Sequence, residues 1–180
     1  MLDIIVPALA VIGLLAIAFL IYVAMQPSEF RIERSLAIQA PADAIFPLID
    51  DLHRFNSWNP FAKSDPQVKL TYSGPSNGIG AAYDWIGKKS GAGRMQIAEV
   101  VPSSKVRMRL DFNKPFVANN VAEFTLVPRG TATTVTWAMT GRRPFSHKLM
   151  GTIFNMDKMV GGEFAKGLVN LKAMAERTTT

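Results

Sequence analysis

NVAEFTLVPRGTATTVTWAMT, residues 120–140, is the stretch on which the fold turns. Phe124 and Leu126 alternate with Glu123 and Thr125, while Val135, Trp137 and Met139 alternate with Thr134, Thr136 and Thr140. A period of two sets one series on a buried face and the other in solvent, so Asn120 to Val127 and Thr133 to Thr140 read as half-buried strands. Pro128-Arg129-Gly130 between them is a turn, and the pair reads as an antiparallel hairpin.

Upstream the same grammar repeats. Val68 to Tyr72, Ala81 to Ile86, Arg94 to Val101 and Lys105 to Phe112 are each bounded by Gly, Pro, Asn or Ser clusters, giving strands of 5–8 residues in a meander. Phe30 to Ile38 is a further strand, apolar at 30, 32, 36 and 38. Between it and the meander, Ala40-Pro41-Ala42-Asp43 starts a helix, with Ile45, Phe46 and Ile49 on one face and Pro47 expected to kink or shorten it. Asp50 to Phe61 reads as short helical turns.

Downstream, Ser146 is placed to cap a last element. Leu149, Ile153, Met156, Val160, Phe164, Leu168, Leu171 and Ala175 recur at steps of three or four, one apolar stripe on a helix of about 30 residues. Gly161-Gly162 within it predicts a bend or the close approach of another backbone. The order is strand, short helices, six strands, long helix. That is an α+β domain in which a curved antiparallel sheet of about seven strands is covered by the C-terminal helix. One helix about 10 Å wide cannot fill so broad a concave face, so a cavity is expected between them.

Residues 4–25, IIVPALAVIGLLAIAFLIYVAM, carry no charge. As a helix they span about 33 Å, enough for a hydrocarbon layer of about 30 Å. Pro7 falls in the first turn, where a missing N–H is harmless, and Tyr22 suits the headgroup level. Met-Leu-Asp at the start and Val23-Ala24-Met25-Gln26 at the end do not make a cleavable signal peptide. The expectation is a transmembrane anchor over 1–25, a linker over 26–29 reaching at most about 14 Å, a domain over 30–176 and a short tail over 177–180. Arg31 and Arg34 follow the apolar run and only Asp3 precedes it, which places the domain on the cytoplasmic side.

The chain has no cysteine, which excludes disulfides, thiol catalysis and cysteine-based metal sites. Its net charge of +6 comes from scattered Lys and Arg, densest at Arg142-Arg143 with His147 and Lys148. There is no basic helix, zinc spacing or aromatic RNA-binding strand, so nucleic acid is not an expected partner. No nucleophile elbow, zinc-protease helix, phosphate loop or paired carboxylates occur. His53 and His147, the only histidines, read as surface residues, and Asp50-Asp51 as a helix end. Tyr83, Arg94 and Glu99 would make a polar cluster only if all pointed inward, and by strand parity Arg94 and Glu99 face opposite sides. No catalytic residue, cofactor or metal is expected.

Alternation also assigns the inner face. Met108 and Leu110 alternate with Arg107, Arg109 and Asp111, and Tyr83 and Trp85 flank Asp84. With Phe124, Leu126, Val135, Trp137, Met139, Met95, Phe154 and Trp58 they compose an aromatic and Met-rich lining suited to a flexible apolar ligand.

Several local sequences bear a resemblance. They are Arg34-Ser35 with Ile38-Gln39-Ala40-Pro41, Phe46 with Ile49-Asp50, Trp58-Asn59-Pro60, Tyr83-Asp84-Trp85, Gly91-Ala92-Gly93-Arg94-Met95, Thr134 to Gly141, and Gly167 to Lys172. Over Phe30 to Glu176 the chain resembles the START-like (SRPBCC) superfamily, the polyketide cyclase/dehydrase and lipid-transport group, in its membrane-anchored bacterial form. The resemblance implies a helix-grip fold enclosing an apolar ligand cavity; Pro47 departs from the usual first helix. The expected function is a membrane-tethered binding or carrier domain for a small hydrophobic ligand or lipid, with the lipid bilayer as its partner. Two other functions are open: a cyclase or dehydratase acting on a polyketide-like substrate, and a regulatory partner of another membrane protein.

Overall fold

The structure, a computed structural model, describes residues 2–145, 148–149, 151 and 155–178. It opens with α1 (Leu2–Met25), followed after three residues by β1 (Glu29–Ile38). The short helices α2 (Ala42–Ile45), α3 (Pro47–Asp50), α4 (Leu52–Trp58) and α5 (Pro60–Ser64) come next. Six strands follow: β2 (Lys69–Ser73), β3 (Ala82–Gly87), β4 (Gly91–Val101), β5 (Lys105–Lys114), β6 (Ala118–Arg129) and β7 (Ala132–Arg142). The long helix α6 (Met156–Thr178) closes the chain.

All seven strands form one antiparallel sheet in the order β1-β7-β6-β5-β4-β3-β2. The meander is therefore continuous, and β1 joins it through β7, with Glu29 opposite Arg142 and Ile38 opposite Thr133. Strands reach 12 residues, longer than the predicted 5–8, because pairing continues through polar end residues such as Asn119 opposite Asp111. Backbone hydrogen bonds extend a ladder beyond the point where side-chain alternation stops signalling it.

The short helices form as the local sequence dictates. Pro47 stands at the first position of α3, so the run breaks into two turns instead of one kinked helix. Asp51 caps α4 by accepting from the His53 and Arg54 amides at 2.8 and 3.2 Å. Its neighbour Asp50 is buried, one carboxylate oxygen has no hydrogen-bond partner, and burial raises its pKa above the ordinary value. The Asp50-Asp51 pair is thus a helix junction, and no group of metal-binding side chains occurs among the described residues.

The C-terminal stripe is not one helix of about 30 residues. Asn155 lies outside any helix, and its side-chain oxygen accepts the Lys158 amide at 2.9 Å, so it caps α6 and starts it afresh at Met156. Ser146, the expected cap, and Ile153 lie outside the described residues. Within α6, Phe164, Leu168, Leu171 and Ala175 are buried against the concave face, as the spacing predicts. Gly161 admits a side chain instead of a backbone. A Cβ there would strike the guanidinium of Arg34, which makes a bidentate pair with Asp157 at 2.9 and 3.1 Å. That pair clamps the start of α6 to β1.

Candidate functional site

The concave face divides into two halves along the strands. In the half farther from α1, α4 descends into the bowl. Trp58 and Phe55 meet each other edge-on with ring centres 5.0 Å apart, and meet Phe124 and Trp137 edge-on at 5.7–6.1 Å. The Trp58 indole donates to the Leu48 carbonyl at 2.8 Å, and Asn170 of α6 donates to the Trp58 carbonyl at 3.0 Å. This half is solid: Met108, Phe124, Leu126 and Val135 are fully buried within it.

The half nearer α1 is hollow. A cavity of about 290 Å³ lies between β3–β7, α5 and the first turns of α6. Of the residues read from the sequence, Tyr83, Trp85, Met95, Leu110, Trp137 and Met139 line it. Trp58, Met108, Phe124, Leu126 and Val135 pack as core beside it, and Phe154 lies outside the described residues. Sequence reading missed Phe61, Ala122, Phe112 and Val160, which also line it. Phe112 shares the parity of Met108 and Leu110, and Ala122 that of Phe124, so alternation held the signal for both. Phe61 and Val160 come from helices, whose approach alternation does not report.

Local chemistry shapes the walls. Trp85 lies opposite Gly93, and any side chain at 93 would strike its indole ring, so glycine lets the ring lie across β4. Trp137 stacks on Phe164 with ring centres 4.2 Å apart. Its indole N–H is buried and has no hydrogen-bond partner among the described residues. The Tyr83 hydroxyl is buried, and that burial drives its pKa well above the ordinary phenol value. Tyr72 adds to the rise, and a hydrogen bond with Asn56 opposes it. Tyr83 therefore stays neutral.

Exposed lining residues mark the mouth: Phe61 and Ser64 on α5 and Lys89 on the β3–β4 turn. One carboxylate holds this rim. Asp65 accepts the Lys89 amide at 2.8 Å, the Ser90 amide and hydroxyl at 3.2 Å, and the Gln67 amide at 3.2 Å. These bonds, led by the one from Lys89, hold its pKa below the ordinary value. Asp65-Pro66 is itself a turn-forming pair in the sequence. Because the folded pKa is lowered, the contribution is complete above the ordinary carboxylate range and is lost as pH falls through the lowered value. Asp65→Asn is expected to speed hydrogen exchange at the Lys89 and Ser90 amides at neutral pH, an effect that fades in strong acid. Unchanged exchange would remove Asp65 from the rim.

The polar cluster considered from sequence does not form. Tyr83 faces inward, whereas Arg94 pairs with Asp84 at 2.6 Å and Glu99 with Lys105 at 2.5 Å on the outer face. Parity had put Arg94 and Glu99 on opposite sides. A bulge between Ile97 and Glu99 adds one residue and turns Glu99 outward. His53 is exposed and stacks on Tyr72 at 3.7 Å, and His147 lies outside the described residues.

The fold and cavity define a class: a helix-grip domain whose sheet and long helix enclose an apolar pocket. The chain belongs to the polyketide cyclase/dehydrase and lipid transport family, whose profile matches residues 29–176. Solved structures agree in fold. A point mutant of norcoclaurine synthase from Thalictrum flavum, in complex with a transition-state analogue, aligns with a TM-score of 0.66 and 13% identity over 86% of this chain and 100% of that one. Protein MLL2253 from Mesorhizobium loti gives 0.60 and 16% identity over 83% and 98%. Protein CV1439 from Chromobacterium violaceum gives 0.58 and 16% identity over 84% and 99%. No curated protein shows significant sequence similarity.

Proposed function

We propose that this protein is a membrane-tethered binding domain that holds a small apolar ligand, drawn from the bilayer, between its sheet and α6. The observation that carries the reading is the enclosed apolar cavity in the half of the bowl nearest α1. At about 290 Å³ it stands at the lower end of ligand pockets, about 300–1,000 Å³, so it takes a compact molecule or part of one acyl chain. The tether is α1, whose stretch Ile5–Met25 is long and apolar enough to cross a membrane. Arg31 and Arg34 after it support a cytoplasmic position for the domain.

The test is extraction of the purified full chain from nanodiscs, with mass spectrometry of what leaves the cavity and titration with fluorescent fatty acids. A recovered or titratable apolar ligand supports the reading, and a cavity that takes none overturns it. A second reading, cyclase- or dehydratase-type catalysis, is favoured by buried polar groups in the lining, among them the Tyr83 hydroxyl and the Trp137 indole N–H. It requires that Tyr83→Phe abolish turnover of a polyketide-like substrate while leaving ligand binding intact.

A further inference from the structure

The register fixes which loops share an end of the sheet. Glu29 pairs with Arg142, Ala118 with Phe112, Lys114 with Ala92, Gly91 with Gly87, and Ile86 with Lys69. The β3–β4 turn and the β5–β6 hairpin tip therefore stand at the end where α1 enters. The last turn of α1 and the residues after it are fastened there: Val23 is buried, Lys148 donates to the Ala24 carbonyl at 3.1 Å, and the Arg143 amide donates to the Ser28 carbonyl at 2.7 Å. With three residues between α1 and β1, this end cannot move far from the plane where α1 stops.

The same end exposes large apolar side chains beside cations. Ile86 is 66% exposed, Phe116 59% and Val117 72%. Lys88, Lys114 and Arg142 stand among them, exposed, and none makes an ion pair among the described residues. Apolar tips ringed by unpaired cations match an interface of anionic headgroups over acyl chains. The mouth of the cavity, at Lys89 and Ser64, opens on this end too.

We infer that the β3–β4 turn and the β5–β6 tip form a docking face for an anionic lipid surface, which presses the cavity mouth against the bilayer. The inference rests on the tethered reading above and names the surface by which the ligand would pass. A lipid surface is favoured over a protein partner because α1 brings this face to the membrane.

The chain has no cysteine, so single labelling sites are available. Val117→Cys and, on the opposite end, Thr131→Cys would each carry an environment-sensitive fluorophore, in the full chain in nanodiscs containing lipid-borne quenchers. Discs of phosphatidylcholine with phosphatidylglycerol should quench the label at 117 several-fold more than the label at 131. Lys88→Glu and Lys114→Glu should each weaken the contact at least about fivefold, the effect of one basic residue at an anionic surface. Discs of phosphatidylcholine alone should weaken it likewise. Equal quenching at the two sites, or quenching indifferent to both lysines, overturns the inference and leaves the face to a protein. Mass spectrometry on the same samples separates the two readings. Ligand without quenching at 117 removes the docking face alone, and quenching around a cavity that takes no ligand removes the carrier reading alone.

Discussion

Ala122→Phe is expected to fill part of the cavity and exclude a ligand from it, while leaving the fold in place. Ala122 is buried on the inner face of β6, opposite Met139 and Met108, and its methyl group forms part of the cavity wall. A phenyl ring there projects into free space, so the strain of overpacking, about 1–3 kcal/mol in a filled core, is largely avoided. The ligand loses the volume that the ring takes. Losing the burial of one such group, about 1.5–3 kcal/mol, exceeds the 1.4 kcal/mol that corresponds to about tenfold in affinity. Titration with fluorescent fatty acids should therefore show affinity down by at least about tenfold, with unchanged circular dichroism. Met108→Leu, in the solid half, should leave binding as it is. Full affinity in Ala122→Phe would mean that the ligand sits elsewhere.

Trp58→Ala should cost the domain about 3–5 kcal/mol, the range for removing a large buried aromatic. The indole touches Phe55, Phe124 and Trp137 and satisfies the Leu48 carbonyl, so its loss leaves both a void and an orphaned acceptor. Small domains are stable by only about 5–15 kcal/mol, so the midpoint of denaturant unfolding should fall steeply. Trp58→Phe keeps the ring contacts and loses the N–H, and should cost about 1–3 kcal/mol. If Trp58→Ala unfolded at the wild-type midpoint, the far half of the bowl would not be the packed core described.

These two residues mark the limit of what alternation conveys. Both Trp58 and Trp137 read as lining, yet one is the centre of the core and the other a cavity wall. Period two separates inner from outer face because successive side chains point to opposite sides of a strand. It says nothing about position along the bowl. That position decides where the cavity lies, because α4 fills one half and leaves the other hollow. The depth of α4 depends on its cap at Asp51 and on the tie from Asn170 to the Trp58 carbonyl, a contact between residues far apart in sequence.

Irregular backbone was equally hidden. The bulge near Ile97 reverses the parity of Glu99 without a glycine or proline to announce it, and the stripe from Leu149 to Ala175 runs through the break at Asn155. Spacing registers hydrophobic positions, whereas a helix starts where a side chain satisfies its first amides.

Local order therefore established the apolar α1 segment, the short helices broken by Pro47, six strands after the first, and a closing helix with one buried face. Each follows from near-neighbour chemistry: charge-free length, a ring that fixes φ, alternation, and steps of three or four. Tertiary structure alone decided which half of the bowl stays empty, where its mouth lies, and that the mouth shares an end with α1. Those outcomes depend on register and helix docking, which join residues that no local pattern connects.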